Sequence, residues 1–498
     1  MKRLKKATVL VLIAALCLPA LAGCGDTVIG PAPAAQATAA PGSEIAPGGV
    51  TAITLNGASA MITGGGASVD GGTVKIASPG EYTISGALDG RIVVNTGEVK
   101  GDVTLRLAGA EIRCADGPAL LVEQVKNCRL VLEEGSFNRL VSGAEDAAPT
   151  QAQDGAVIFS EDDLDIQGGG ELEVQGWINN GITCKDDLDI LGGVITVVAV
   201  HNGVKGSESV EITDGELRVT AGNDGMKSSS AKKEGKGFVT VSGGFVEITA
   251  GGDGIAAETA LTVSGGELHI TTRGARGDAS SKGMKAKTEL TLSDCRIALN
   301  TADHALHCTG DLRVLGGAEI RVESCAGKGL AAHGTLEIAD GTIDVTSEND
   351  GLDSERAVNI SGGEISIFTK GNGIKAGSRG SAEGTFTLSG GAVTVSAFGE
   401  VFDAKGSAAV TGGKLIGVGT AKSPKGFSGA NSQRYLLFRS FAGAAGSAAQ
   451  LSSDASGELI GTIEGRCGYT YAVYTAPGLE EGSYHLSCGT IQAAAKAK

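Results

Sequence analysis

Aromatic side chains make up only 4% of the 498 residues, and Trp177 is the sole tryptophan. A continuous row of aromatic stacking platforms is therefore excluded. Cysteine is sparse as well. With Cys17 and Cys24 of the leader set aside, those that remain are too few in so long a chain for a disulfide scaffold. Cys467 and Cys488 are the pair that could bridge a C-terminal hairpin. There is no Cys-x-x-Cys pair, and the six histidines are scattered, so the pattern of a zinc site is missing. His304 and His307 share one corner, which a solvated turn explains. Beyond the leader no apolar run is long enough to span a membrane. The net charge of -16 argues against a nucleic-acid partner and suits a surface that binds cations.

Glycine is abundant, 80 residues in all, and a repeat accounts for most of it. Each copy reads apolar-x-apolar-x-Gly-Gly-x-apolar-x-apolar, then a small residue and an Asn-Gly or Asp-Gly turn. Copies open at Leu164, Leu188, Val210, Val239, Leu261, Leu290, Leu312, Leu336, Val358, Phe386 and Ala408. Neighbouring starts are 22 or 24 residues apart except at three polar inserts, SSSAKKEGKG after Lys227, RGARGDASSKG before Met284 and AGSRGSAEG after Lys375. A fixed period of this length marks a solenoid. Alternation of period two within each copy predicts strands. The Gly-Gly and Asn/Asp-Gly pairs break each copy into three short strands, by supplying the positive φ that other residues resist. The predicted fold is all-β: a single-stranded, right-handed parallel β-helix of roughly thirteen to fifteen coils, ~60–70 Å long at one strand spacing per coil.

The flanks differ from the repeats. Met1-Lys-Arg-Leu-Lys-Lys, an apolar stretch to Ala20 and Leu21-Ala22-Gly23-Cys24 look like a lipoprotein signal peptide over 1–23, with lipidated Cys24 the first mature residue. An Ala/Pro/Gly-rich tether covers 24–49. The β-helix is expected over 50–426, with looser coils to about residue 160 and a polar excursion from Glu145 to Gln153. Residues 427–498 read as a small β cap on the open end of the stack. The protein is thus expected as a monomer on the outer face of a bacterial cell membrane, held by lipid alone.

Stacked coils place equivalent residues in columns, and several columns are acidic. Asp162 and Asp163 recur as Asp186 and Asp187, then as Glu208. Asp165, Asp189 and Glu211 flank them. Like carboxylates facing one another destabilise a sheet. Their retention calls for a cation, and hard oxygen ligands suit Ca²⁺, which takes six to eight oxygens. A second candidate column runs through the turns at Asn180, Asn202, Asp224 and Asp253. A third cluster holds Asp350 and Asp353 with Glu348 and Asn349. Three residues beyond the turns stand Lys205, Lys227 and Lys285, then Asp353, Lys375 and Asp403, whose alternating signs suggest surface ion pairs. Lys205 and Lys227 are adjacent like charges suited to the carboxylates of an acidic sugar polymer. Trp177 sits in a corner one residue longer than that of the next coil, which is expected to push the indole outward to stack on a sugar.

The stretches DGAVIFSEDDLDIQGGGELEVQGWINNGITCKDDLDILGG and GNDGMKSSSAKKEGKGFVTVSGG resemble the carbohydrate-binding parallel β-helix family of bacterial surface proteins known from cellulolytic clostridia, whose fold is similar to that of pectate lyases. The resemblance runs from about Ile53 to Leu486. It implies calcium held by turn and strand acids, at Asp162, Asp163, Asp186, Asp187, Asp224 and Asp253, and binding of plant-type polysaccharide without established catalysis. Downstream, Lys282, His304 and Lys328 replace the Asp or Asn of the pattern. Three functions follow: non-catalytic, calcium-dependent polysaccharide binding; a calcium-dependent polyuronate lyase with Lys205 or Lys227 as base; and a purely structural or adhesive solenoid.

Overall fold

The apolar residues that open the repeats stack on one another in a single unbroken register. In the computed structural model Leu164 pairs with Leu188, Leu188 with Val210, Val210 with Val239, and so on through Leu261, Leu290, Leu312, Leu336, Val358 and Phe386 to Ala408, every pair parallel. The structure describes residues 50–145, 155–274, 280–378 and 383–498. The signal peptide, the tether, Cys24 and most of the 145–153 excursion lie outside them. Among the described residues there is no helix, and the parallel coils form a β-solenoid of about 13 turns.

Each coil contributes three short strands, as in Asp187–Ile190, Val194–Ala199 and Val204–Gly206. The first two strands of the coils belong to a 30-stranded sheet and the third strands to a 15-stranded one. The two faces of the larger sheet are joined because the early strand Asp102–Cys114 runs through the corner at Gly109 and pairs with both Asn127–Leu132 and Phe137–Ser142. Inward residues such as Leu188, Ile190, Ile195, Val197 and Val204 are all buried in one continuous core. At ~25 cal/mol per Å² of apolar surface, this column is the main stabilising term.

The two glycine motifs act differently. From the second copy on, the second glycine of the Gly-Gly pair has positive φ, as at Gly193 (91°) and Gly266 (80°). The glycine of the Asn/Asp-Gly pair does not. Gly203 is required for space: a Cβ there would lie 2.2 Å from Val219 Cγ1 and 2.7 Å from the Gly225 carbonyl oxygen. That turn is tight because strands close over it, and its backbone is ordinary.

Both ends of the stack are closed by strands of opposite sense. Ser59–Thr63 pairs antiparallel with the first rung and Ala67–Asp70 pairs antiparallel with Thr73–Ile76. At the other end Tyr471–Thr475 pairs antiparallel with Lys414–Gly419, and a 4-stranded antiparallel sheet follows. Phe427, Tyr435 and Tyr471 complete the solenoid core, so the C-terminal strands are continuous with it. Cys467 and Cys488 are not bridged. Both are free thiols, as are the other cysteines among the described residues.

Candidate functional site

The turn column is a ladder of side chains that cap the next coil. Asn180 Oδ1 accepts the Asn202 backbone N–H (3.0 Å), Asn202 Oδ1 that of Asp224 (3.3 Å), Asp224 Oδ1 that of Asp253 (3.0 Å) and Asp253 Oδ1 that of Lys282 (2.8 Å). The ladder resumes at Asp350, which receives Asn372 N–H (2.9 Å), and Asn372, which receives Glu400 N–H (2.9 Å). His304 fits the same place, its Nδ1 accepting Lys328 N–H (3.1 Å). All four of Asn180, Asn202, Asp224 and Asp253 are buried, so each bond satisfies a donor that water does not reach.

The remaining carboxylate oxygens are met by lysines. Lys227 reaches Asp224 at 2.8 Å and Lys285 reaches Asp253 at 3.3 Å. Lys236 pairs with Asp187, and Lys233 pairs with Glu208 and lies 3.9 Å from Asp186. Lys328 and Lys375 hold Asp353 at 3.0 and 3.1 Å, and Lys375 holds Asp350 at 3.0 Å. Asp353 is 4% exposed, so this is a buried network and not the surface ladder expected from alternating signs. Asp403 pairs instead with Lys405 and Lys425. Asp162 Oδ2 accepts Val125 N–H (2.8 Å), and Asp163 Oδ1 accepts Asp187 N–H (3.2 Å).

These residues therefore do not fit a calcium ion as arranged. Oxygens of Asp187, Asp224, Asp253, Asp350 and Asp353 already serve backbone donors or ammonium groups, and among the described residues no three His, Cys, Asp or Glu side chains form a group that could hold a metal. At Asp187, Glu208, Asp224, Asp253 and Asp353 the compensating cation is a lysine. Lys233 and Lys236 come from the insert after Lys227, whose basic composition next to an acidic column was the signal for this arrangement in the sequence. Replacing both by alanine is expected to lower the melting temperature, and added calcium to restore part of it. Chelator should leave the parent protein unchanged. Thermal melts of both proteins with calcium or chelator check this.

One acidic column has no such compensation along its middle. Asp165, Asp189 and Glu211 face one another in register, and Asp189 Oδ1 is buried without a hydrogen bond. Burial, then Glu211 and Asp165, push the Asp189 carboxyl up to about 6. A raised carboxyl pKa makes the folded state the stronger proton binder, so this residue destabilises increasingly as pH rises from the ordinary carboxylate range through 6. Asp189→Asn is expected to raise the melting temperature at neutral pH and to have little effect at pH 4. Melting curves at the two pH values decide it.

The open side of the 15-stranded sheet carries the column of Thr183, Lys205 and Lys227, in register. At Lys205 lies a cleft of about 510 Å³, lined also by Thr183, Asn179, Asn180, His201, Asn202, Lys185, Ser207, Glu208 and the insert residues Ser229, Ser230, Lys232 and Lys233. Four lysines face one glutamate. Lys185 lies 3.8 Å from Glu161 and its Nζ stands 5.4 Å from the Phe159 ring centre. Burial, and then Lys227 and Lys185, push the Lys205 ammonium below the usual lysine range. Burial likewise lowers His201. The structure thus separates the two lysines paired in the sequence reading: Lys227 is neutralised by Asp224, and Lys205 is not neutralised. Lys185, Lys232 and Lys233 were missed because their convergence depends on how the insert folds back.

Trp177 is half-buried. The Trp177 backbone N–H donates to the Ser142 carbonyl oxygen (2.9 Å), and Gly143 leaves room for the corner to lie against the preceding coil.

The model of the carbohydrate-binding domain-containing protein family matches residues 70–324 and 308–456. The chain belongs to that family. A carbohydrate-binding domain-containing protein of Acetivibrio thermocellus is 36% identical over 137 residues, 27% of this chain, and the chain spans about half (48%) of that relative. A solved gadolinium derivative of the polysaccharide lyase-like protein from C. thermocellum is 30% identical, with a TM-score of 0.44, over 53% of this chain and 96% of that one.

Proposed function

We propose that the chain binds polysaccharide without cleaving it, and that the polymer is acidic, with a carboxylate of a uronate-type sugar on Lys205. The observation that carries this reading is the Lys205 cleft, where four lysines face one carboxylate and the central ammonium is desolvated. A desolvated, unneutralised cation gains more from an incoming carboxylate than a solvated one does. Membership of a carbohydrate-binding family supports the sugar class. The rungs, ~4.8 Å apart, are close to the length of one sugar residue, so an extended polymer can follow the column. No step in this reading is routed through calcium. The leader supports a location for this binding at the outer face of the cell membrane, on a lipid anchor at Cys24.

The test is retention on immobilised polyuronate and on neutral glucan, with and without chelator. Stronger retention on polyuronate, weakened by salt and indifferent to chelator, is the expected result. Equal retention on both would overturn the acidic reading. Lys205 favours one second reading: a lysine with a lowered pKa is also a base. It would take the proton next to the uronate carboxylate as the carbon–carbon double bond forms, and the glycosidic oxygen would leave with a solvent proton. Accumulation of unsaturated uronate during the same incubation would establish this lyase instead.

A further inference from the structure

The corner at residues 177–180 has a cleft on each side. Asn179 and Asn180 border the lysine cleft, towards the following coils. Trp177 borders a larger one of about 1030 Å³, towards the preceding coils, with Arg91, Arg113, Asp116, Arg139 and Gln175. The second cleft is chemically distinct. Its arginines all have acidic partners: Arg91 pairs with Asp116, Arg113 with Glu111, and Arg139 lies 3.4 Å from Glu173 while donating to Gln175 at 2.8 Å. Along its lining three arginines are matched by Asp89, Asp116 and Glu145. The cleft therefore carries no excess charge, and an anionic sugar gains nothing there over solvent.

What it offers is an aromatic ring, the only indole of the chain, among planar guanidinium, amide and carboxylate groups. The face of a pyranose ring is apolar C–H surface and its rim is hydroxyl. Aromatic packing against the face and bidentate planar groups on the rim are the matching chemistry. We propose that the Trp177 cleft is a second carbohydrate subsite, selective for uncharged pyranose residues. This rests on the carbohydrate-binding reading but not on Lys205. The two clefts meet at one corner, so a polymer with both neutral and acidic residues occupies both at once, and the two contacts reinforce each other through high effective concentration.

Because Trp177 is the sole tryptophan, its fluorescence reports this cleft alone. The full chain would be titrated with neutral hexasaccharides of glucan, xylan and mannan type and with a uronate hexasaccharide. At least one neutral sugar is expected to shift the emission, equally in the parent and in Lys205→Gln. Trp177→Ala should weaken that sugar about tenfold, read by calorimetry, and leave polyuronate retention within twofold. Asp116→Asn changes an exposed side chain only and leaves Arg91 unpaired, so the uronate hexasaccharide should then perturb Trp177. Silence of the emission to all three neutral sugars, or unchanged neutral affinity in a folded Trp177→Ala protein, would overturn the subsite. Loss of polyuronate retention in Lys205→Gln with the Trp177 response intact separates the two clefts.

Discussion

Asp353→Leu is expected to destabilise the protein by about 2–3 kcal/mol, the range for a hydrogen bond to a charged group that is lost with its partner left behind. Asp353 is 4% exposed and is the only carboxylate within ion-pairing distance of Lys328 in the described residues. Leucine fills the space but strands that ammonium, while Lys375 keeps Asp350. Because each coil touches only its neighbours, the loss is local. Amide hydrogen exchange should accelerate in Leu330–Ala332, Leu352–Ser354 and Ile374–Ala376 and stay unchanged near Leu164. The same site gives a pH signature. Burial pushes the Asp353 carboxyl up, but Lys328 and Lys375 outweigh it and hold it below the usual range. A depressed carboxyl contributes stability that is fully present above its unfolded pKa and is lost as pH falls through the folded value. Protection factors in these strands, relative to the intrinsic exchange rate at each pH, should therefore fall in acid, and this acid effect should vanish in Asp353→Leu. Uniform acceleration along the whole chain would contradict the local account.

Lys205→Gln is expected to weaken polyuronate binding at least tenfold and to flatten its dependence on salt. The variant keeps the length of the side chain and removes a half-buried charge that no carboxylate neutralises among the described residues. Lys227→Gln is the control. Its ammonium is already held by Asp224, so affinity should change little. The two substitutions also bear on stability in opposite ways. Lys205 is repelled by Lys227 and Lys185, so its removal relieves strain, whereas removing Lys227 leaves Asp224 buried and unpaired. A Lys205→Gln protein that melts higher yet binds more weakly is the expected pair of results. Equal loss of polyuronate affinity in both variants would mean that the column acts by summed charge alone.

The register was fully legible in the sequence. The series from Leu164 to Ala408 was read from apolar periodicity, and each member pairs with the next, because burial on one face of a period-two strand leaves no freedom to slip. The lysine column was legible for the same reason. The roles of the acids were not. Asn180, Asn202, Asp224 and Asp253 read as oxygen ligands, but their oxygens point along the stack at the next N–H, and only the offset between coils reveals that. Lys233 and Lys236 lie outside the period, so no repeat arithmetic places them over Asp187 and Glu208. The Trp177 corner shows the same limit: an extra residue was visible, but its direction was set by Gly143 one coil earlier.

A stack of identical rungs is also a template. Each parallel strand exposes, on its last face, the row of N–H and C=O groups that the next rung needs, and a second molecule could dock there and extend the stack into a filament. Ser59–Thr63 and Ala67–Asp70 at one end, and Tyr471–Thr475 at the other, run against the direction of the coils. On the faces that these strands cover, a neighbouring molecule meets a strand of the wrong polarity, with its parallel register already broken. The reversed strands thus help to set the length of the solenoid as a property of one chain and oppose the joining of copies end to end.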